Sequence, residues 1–149
     1  MRPHACVNLP ADWADAARRI RRDAIGRVLI LGPRDVGKSS FARVLLHDAV
    51  QEGRRAALMD ADVGQKTVGP PAAVTLGYPD GNALSLARLA FVGTTNPVQG
   101  SRLLIRGLGR LSDEANADLT VVNTSGLLRS PGRRLPSLFR ECVPAIAAD

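Results

Sequence analysis

The chain has 149 residues, 45% of them hydrophobic, which is enough for one domain with one core and leaves no room for a second of normal size. Its formal net charge is +6 and its pI is near 10.6; nearly all the positive charge is arginine, since Lys38 and Lys66 are the only lysines, a balance that suits anionic partners or a plain arginine bias. Cys6 and Cys142 show no metal-ligand or disulfide spacing, and neither a signal peptide at MRPHACVNLPADW nor a run near the ~20 apolar residues of a membrane span is present, so the expected setting is the reducing cytoplasm, away from membranes.

In chain order, Leu9, Trp13, Ala16, Ile20 and Ala24 recur at helical spacing, predicting a helix over Pro10 to Ala24 that leads into the core within residues 1–26. Pro10 suits its first turn, and Arg18, Arg19, Arg21 and Arg22 near its end suit either contact with a nucleic acid backbone or, as the favoured expectation, a solvated face that complements the helix dipole. Arg27 to Leu31 reads as a buried strand, Gly32 to Gly37 as a turn, and Lys38 to Gln51 as a helix with Phe41, Val44, Leu45 and Ala49 on its core face. A second strand, Ala56 to Asp60, precedes a loop rich in Gly and Pro from Gly64 to Pro71. Ala73 to Leu76 and Ala87 to Val92 are further strands, and Val98 to Ala115 is a helix carrying Leu103, Leu104, Leu108 and Leu111. Leu119 to Val122 is a buried strand, Leu135 to Cys142 a short helix, and Pro144 to Ala148 the start of a last strand. Strands alternating with helices imply a single α/β domain, residues 1–149, with a mainly parallel sheet covered on both faces.

Gly32-Pro33-Arg34-Asp35-Val36-Gly37-Lys38-Ser39 fits G-x-x-x-x-G-K-[ST] and lies after a buried strand and before a helix, where a phosphate-binding loop must be. Glycines allow close backbone approach, and the loop N–H groups and helix N-terminus face the phosphates. The nucleotide-binding set is therefore Gly32, Pro33, Arg34, Asp35, Val36, Gly37, Lys38, Ser39 and Ser40, with Lys38 on the β- and γ-phosphates and the Ser39 hydroxyl on Mg²⁺. The fold is thus expected to be a P-loop NTPase sandwich of three layers. The second strand ends Met59-Asp60-Ala61-Asp62-Val63-Gly64-Gln65. Residues two apart on a strand share a face, so Asp60 and Asp62 are expected side by side at the ligand crevice. There they suit holding Mg²⁺ with its waters, or accepting a proton from an attacking hydroxyl. Gln65 suits a hydrogen bond to a phosphate or sugar.

Asp60-Ala61-Asp62-Val63-Gly64-Gln65 followed by Gly69-Pro70-Pro71 resembles the signature of the polynucleotide 5′-hydroxyl kinases, P-loop enzymes related to the kinase subunit of the pre-mRNA cleavage complex and to the ribosomal-RNA-processing kinase. Pro10-Ala11-Asp12-Trp13 resembles the helix ahead of the P-loop in bacterial and archaeal relatives. Phe91-Val92-Gly93-Thr94-Thr95-Asn96-Pro97 resembles the family's G-x-T-x-P segment, and Val122-Asn123-Thr124-Ser125-Gly126 its N-T-x-G segment. The resemblance implies an RNA-processing transferase that moves the γ-phosphate of ATP onto the 5′-hydroxyl of RNA or DNA. It implies Lys38 and Asp62 as catalytic residues, Asp62 being the base, with Ser39 and Asp60 at Mg²⁺. Gln65 and one of Thr94 or Thr95 would contact the acceptor's terminal nucleotide. Asn123 and Thr124 stand where other P-loop proteins place a second-strand carboxylate.

Two departures from the family pattern stand out. Leu127 and Leu128 follow N-T-x-G where eukaryotic members have a base-clamping tryptophan, which places the chain nearer the prokaryotic members. The aromatic residues, Trp13, Phe41, Tyr78, Phe91 and Phe139, are too few for a stacking platform of several rings. Family kinases also continue into an arginine-bearing lid, whereas this sequence stops at Asp149; the expectation is a C-terminally truncated domain with the lid missing and Arg129, Arg133 and Arg134 as partial substitutes. A non-catalytic ATP-binding module or scaffold lacking the lid is the competing expectation. A switch GTPase is disfavoured because no N-K-x-D run occurs. The residues indicate no particular protein partner.

Overall fold

A computed structural model describes residues 10–126, together with residues 143 and 144. The helices are α1 (Ala11–Arg22), α2 (Lys38–Gln51) and α3 (Ser101–Glu114); the strands are β1 (Arg27–Ile30), β2 (Ala56–Asp60), β3 (Ala73–Asp80), β4 (Ala83–Phe91) and β5 (Leu119–Asn123). They form one five-stranded sheet in the order β1-β5-β2-β3-β4. β5 pairs in parallel with β1 and β2, while β3 is antiparallel to both β2 and β4. Only β3 therefore runs against the others, and the sheet is mainly parallel, as expected.

Strand alternation sorts the core into two layers. Ala57, Met59 and Val122 point to the α3 face and pack with Val74, Leu76, Leu104, Leu108 and Leu111. Leu58, Leu119 and Val121 point to the opposite face and pack under Leu45, Leu46 and Ala49 of α2 and Ala17 of α1. Side chains alternate along a strand, so Asp60 and Asn123 continue the Leu58 and Val121 rows onto the α2 face. They are also direct neighbours in the β2–β5 register. The alternation thus delivers two buried polar side chains to the first turn of α2.

Several expectations need correction. The buried face of α2 is Ala42, Leu45, Leu46 and Ala49; Phe41 is half-buried, packing against that core and against Trp13 of α1, and Val44 is half-buried rather than part of the core. Leu103 of α3 and Leu31 after β1 are exposed. Ala24 sits beyond the end of α1, where a φ of 49° breaks the helical path. The two short strands expected at Ala73–Leu76 and Ala87–Val92 are longer and form one hairpin, joined at Gly81-Asn82 with Gly81 at a φ of 59°. A bulge between Leu76 and Gly77 carries the strand past its expected end at Leu76. β2 stops at Asp60, so Asp62 belongs to the following loop and does not share a strand face with Asp60. The expected elements Leu135–Cys142 and Pro144–Ala148 lie outside the described residues apart from residues 143 and 144. Leu127, Leu128, Arg129, Arg133 and Arg134 lie outside them as well. No helix among the described residues is long and apolar enough to cross a membrane.

Candidate active site at the carboxyl edge of the sheet

The phosphate loop joins β1 to α2 at the carboxyl edge of the sheet. Asp35 and Gly37 have φ of 59° and 89°; alternating left-handed residues turn successive N–H groups inward, the arrangement that binds anions. Gly37 is the N-cap residue of α2, with no side-chain cap, so the first-turn N–H groups are left for a ligand. Lys38 Nζ donates to the Pro33 carbonyl at 2.6 Å, folded back on its own loop. Burial pushes the Lys38 ammonium below the ordinary lysine value, while the carboxylates of Asp62 and Asp35 oppose that shift.

The loop after β5 closes over this one. Thr124 Oγ1 donates to the Ile30 carbonyl at 2.7 Å, tying β5 to the end of β1. A Cβ at Gly126 would collide with Arg34 Cγ and lie 2.5 Å from Arg34 N, so only glycine lets the chain pass the phosphate loop there. The N-T-x-G segment therefore works as a backbone support, and its asparagine enters the site. Asn123 Nδ2 lies 3.4 Å from both Ser39 Oγ and Asp60 Oδ1, linking the expected metal-binding hydroxyl to the first aspartate. Asn123 Oδ1 is buried and has no hydrogen-bond partner among the described residues.

Asp60 is fully buried. Its Oδ1 accepts from Asp62 N at 3.1 Å and its Oδ2 from Thr67 N at 2.6 Å, with Lys66 Nζ 3.6 Å away. Lys66 also donates to the carbonyls of Asp60 (2.7 Å) and Ala73 (3.1 Å). Burial pushes the Asp60 carboxyl up, against the pull of the Lys66 charge and the Thr67 N–H. It pushes the Lys66 ammonium down, against Asp60 and Asp62. Lys66 is the site residue that motif reading missed. Its one signal in the sequence is that it is the sole lysine besides that of the phosphate loop, in a chain whose other cations are arginines.

Asp62 is half-buried on the loop that Lys66 pins down. Its Oδ1 accepts from Gly64 N and Gln65 N, both at 3.0 Å, which fixes the carboxylate by the turn it caps. No hydrogen bond among the described residues engages its Oδ2. Gln65 is exposed beside it. The loop after β4 abuts the same turn, since a Cβ on Gly64 would stand 3.5 Å from the Thr95 carbonyl oxygen. Thr94 Oγ1 is used inside that loop, accepting from Asn96 N at 3.1 Å and lying 3.3 Å from Gln99 Oε1. Thr95 is exposed. One edge thus gathers Lys38, Ser39, Asp60, Asp62 and Asn123, with Gln65 and Thr95 on its β4 side.

The described residues contain no cluster of three or more His, Cys, Asp or Glu that would hold a metal by protein ligands alone. A hard cation such as Mg²⁺ keeps several waters and takes few protein oxygens. The Ser39 hydroxyl and the unpartnered Asn123 Oδ1 fit such an ion with its waters. The donors around Asp60 leave it a role through charge more readily than through direct ligation.

Residues 32–144 match the family described as mRNA cleavage and polyadenylation factor CLP1 P-loop, and the chain belongs to that family. A polyribonucleotide 5′-hydroxyl-kinase of Methanocaldococcus jannaschii is 34% identical over 124 residues, covering 78% of this chain and 34% of the relative. One of Pyrococcus furiosus is 32% identical over 146 residues, covering 91% of this chain and 41% of the relative. The polyribonucleotide 5′-hydroxyl-kinase Clp1 of Gallus gallus is 32% identical over 130 residues, covering 75% of this chain and 31% of the relative. The chain spans between about a third and two fifths of the length of these curated relatives.

Proposed function

We propose that this member of the CLP1 P-loop family forms the nucleotide-binding core of a polynucleotide 5′-hydroxyl kinase, transferring the γ-phosphate of ATP to the 5′-hydroxyl of an RNA or DNA end. The observation that carries this reading is the pairing of Lys38 with Asp62. A phosphate-reaching cation and a carboxylate with an open oxygen share one edge, where the Asp62 charge favours the ammonium of Lys38. Asp62 Oδ2 accepts the hydroxyl proton as the oxygen attacks phosphorus. The new O–P bond forms, the bond from phosphorus to the bridging oxygen breaks, and ADP leaves with that electron pair. Lys38 offsets negative charge on the phosphates, and the loop N–H groups orient them.

Mg²⁺, when bound, would supply positive charge against the phosphates. The Ser39 hydroxyl would hold the ion, Asn123 Oδ1 would support its waters, and Asp60 would add negative charge nearby. Gln65 and Thr95 contact the acceptor's terminal nucleotide; Thr94 shapes the loop that presents Thr95. Pro33, Arg34, Val36 and Ser40 complete the nucleotide cradle.

The test is transfer of labelled γ-phosphate to 5′-hydroxyl RNA and DNA oligonucleotides, by this chain and by any longer chain its gene encodes. Labelled oligonucleotide ends are expected, and the RNA and DNA arms tell the acceptors apart. ATP binding with no transfer by either chain would contradict the kinase reading and leave a nucleotide-binding module.

A further inference from the structure

α1 takes no part in the chemistry above and lies ahead of the family-matched segment, residues 32–144, yet its first turn touches the phosphate loop. The Pro10 carbonyl accepts from Trp13 N at 3.0 Å and Ala14 N at 3.1 Å, so Trp13 is fixed by the start of the helix. α1 is then held along α2 at several points. Ala17 is buried, Ile20 packs on the α2-side core, and Arg21 reaches Glu52 at 3.1 Å. The Trp13 and Phe41 rings meet with centroids 5.0 Å apart and a 46° tilt, in the favourable range for aromatic pairs. These contacts set the indole edge directly over Gly37. A Cβ there would lie 2.5 Å from Trp13 Cη2 and 3.2 Å from Cζ2.

Gly37 needs its φ of 89° to aim the loop at phosphate. The freedom that lets glycine adopt that angle also makes it the costliest residue to hold there. Loop N–H groups help a phosphate most when they are oriented before it arrives. From this packing we infer that Trp13 is a positioning residue of the nucleotide site: it fills the space over Gly37 and confines the phosphate loop to its binding shape. The inference rests on the nucleotide-binding part of the reading above and is independent of the acceptor.

Trp13 is the only tryptophan in the chain, so its emission reads the loop directly. The probes are ATP with Mg²⁺ and inorganic tripolyphosphate with Mg²⁺, the second having phosphates and no base. Both are expected to shift the emission of the unaltered protein. Trp13→Ala, with folding checked by circular dichroism, is expected to weaken both ligands by a common factor. That factor is on the order of tenfold, the cost of ordering about one backbone residue. Trp13→Phe keeps a ring over Gly37 and is expected to restore most of the affinity. Three results would overturn the inference: a folded Trp13→Ala protein that binds both ligands normally, one that loses ATP while keeping tripolyphosphate (the indole then acts on the base), or emission that stays unmoved by saturating tripolyphosphate. If the unaltered protein binds neither ligand, the nucleotide-site reading itself fails and the inference falls with it. If it binds both but transfers no phosphate, only the kinase reading fails. The emission titration of the unaltered protein with tripolyphosphate needs no variant, so it decides the question even where Trp13→Ala does not fold.

Discussion

The parallel strands carry an acid–base pair at each end. At the amino edge, Arg55 just before β2 meets Asp118 just before β5: Arg55 Nη2 lies 3.0 Å from Asp118 Oδ1 and Arg55 N donates to Asp118 Oδ2 at 2.8 Å. At the carboxyl edge, Lys66 and Asp60 are 3.6 Å apart, with side-chain exposures of 7% and 0%. The Arg55 hydrogen bonds hold the Asp118 carboxyl below its ordinary range, whereas burial drives the Asp60 carboxyl above it. A cation beside an aspartate therefore has opposite consequences at the two edges: the exposed guanidinium pair keeps its carboxyl low, whereas burial of the ammonium pair drives its carboxyl up. The outer pair can lose a partner to water. The inner pair cannot, because it holds together the turn that presents Asp62.

Removing Lys66 is the most severe way to break this comparison. Lys66→Met strands a buried carboxylate and two carbonyls, and loss of one member of a buried pair costs about 3–5 kcal/mol. Chemical denaturation is expected to show that loss, while Arg55→Met at the other edge moves the midpoint little. Equal effects at the two edges would remove the distinction. Gly126→Ala comes next. Its Cβ must push back the Arg34 backbone, an overpacking cost of about 1–3 kcal/mol. Calorimetric titration with Mg·ATP is expected to show weaker binding, and unchanged affinity would mean the phosphate loop does not depend on its neighbour.

The smallest effect concerns pH. Asp118 has a folded pKa below 3.8, so its contribution to stability is complete above pH 3.8 and is lost as pH falls through the folded value. Asp60 behaves oppositely: its raised folded pKa lowers stability as pH climbs from 3.8 to that value. Thermal melts of Asp118→Asn against the unaltered protein are expected to converge as the pH drops below 3.8. A gap that persists in acid would contradict the assignment.

The contrast also marks what the sequence could say. The phosphate loop and α2 were legible because a local pattern with strict spacing dictates them, and α2 has the expected bounds Lys38 to Gln51. The β3–β4 hairpin was harder because a bulge carries its first strand past the expected end at Leu76. Asp60 and Asp62 were identified as a pair, but strand alternation was the wrong reason for it. β2 ends at Asp60, and the pairing comes from the Asp62 N–H bonding back to the Asp60 carboxylate. Lys66 was hidden because a lysine in a Gly-rich loop normally faces water. Its burial depends on β3 folding back to offer the Ala73 carbonyl, a contact that spacing does not encode.

The central claim is that Lys38 and Asp62 divide the work between nucleotide binding and proton removal. Asp62→Asn keeps the turn-capping shape and loses the proton acceptor. Mg·ATP affinity and labelled-phosphate transfer to a 5′-hydroxyl oligonucleotide, measured on Asp62→Asn and Lys38→Ala together, test it most directly. Asp62→Asn is expected to bind ATP nearly normally and to lose about 10²–10⁴-fold in transfer, while Lys38→Ala loses both. Normal transfer by Asp62→Asn, or normal binding and transfer by Lys38→Ala, would contradict the account.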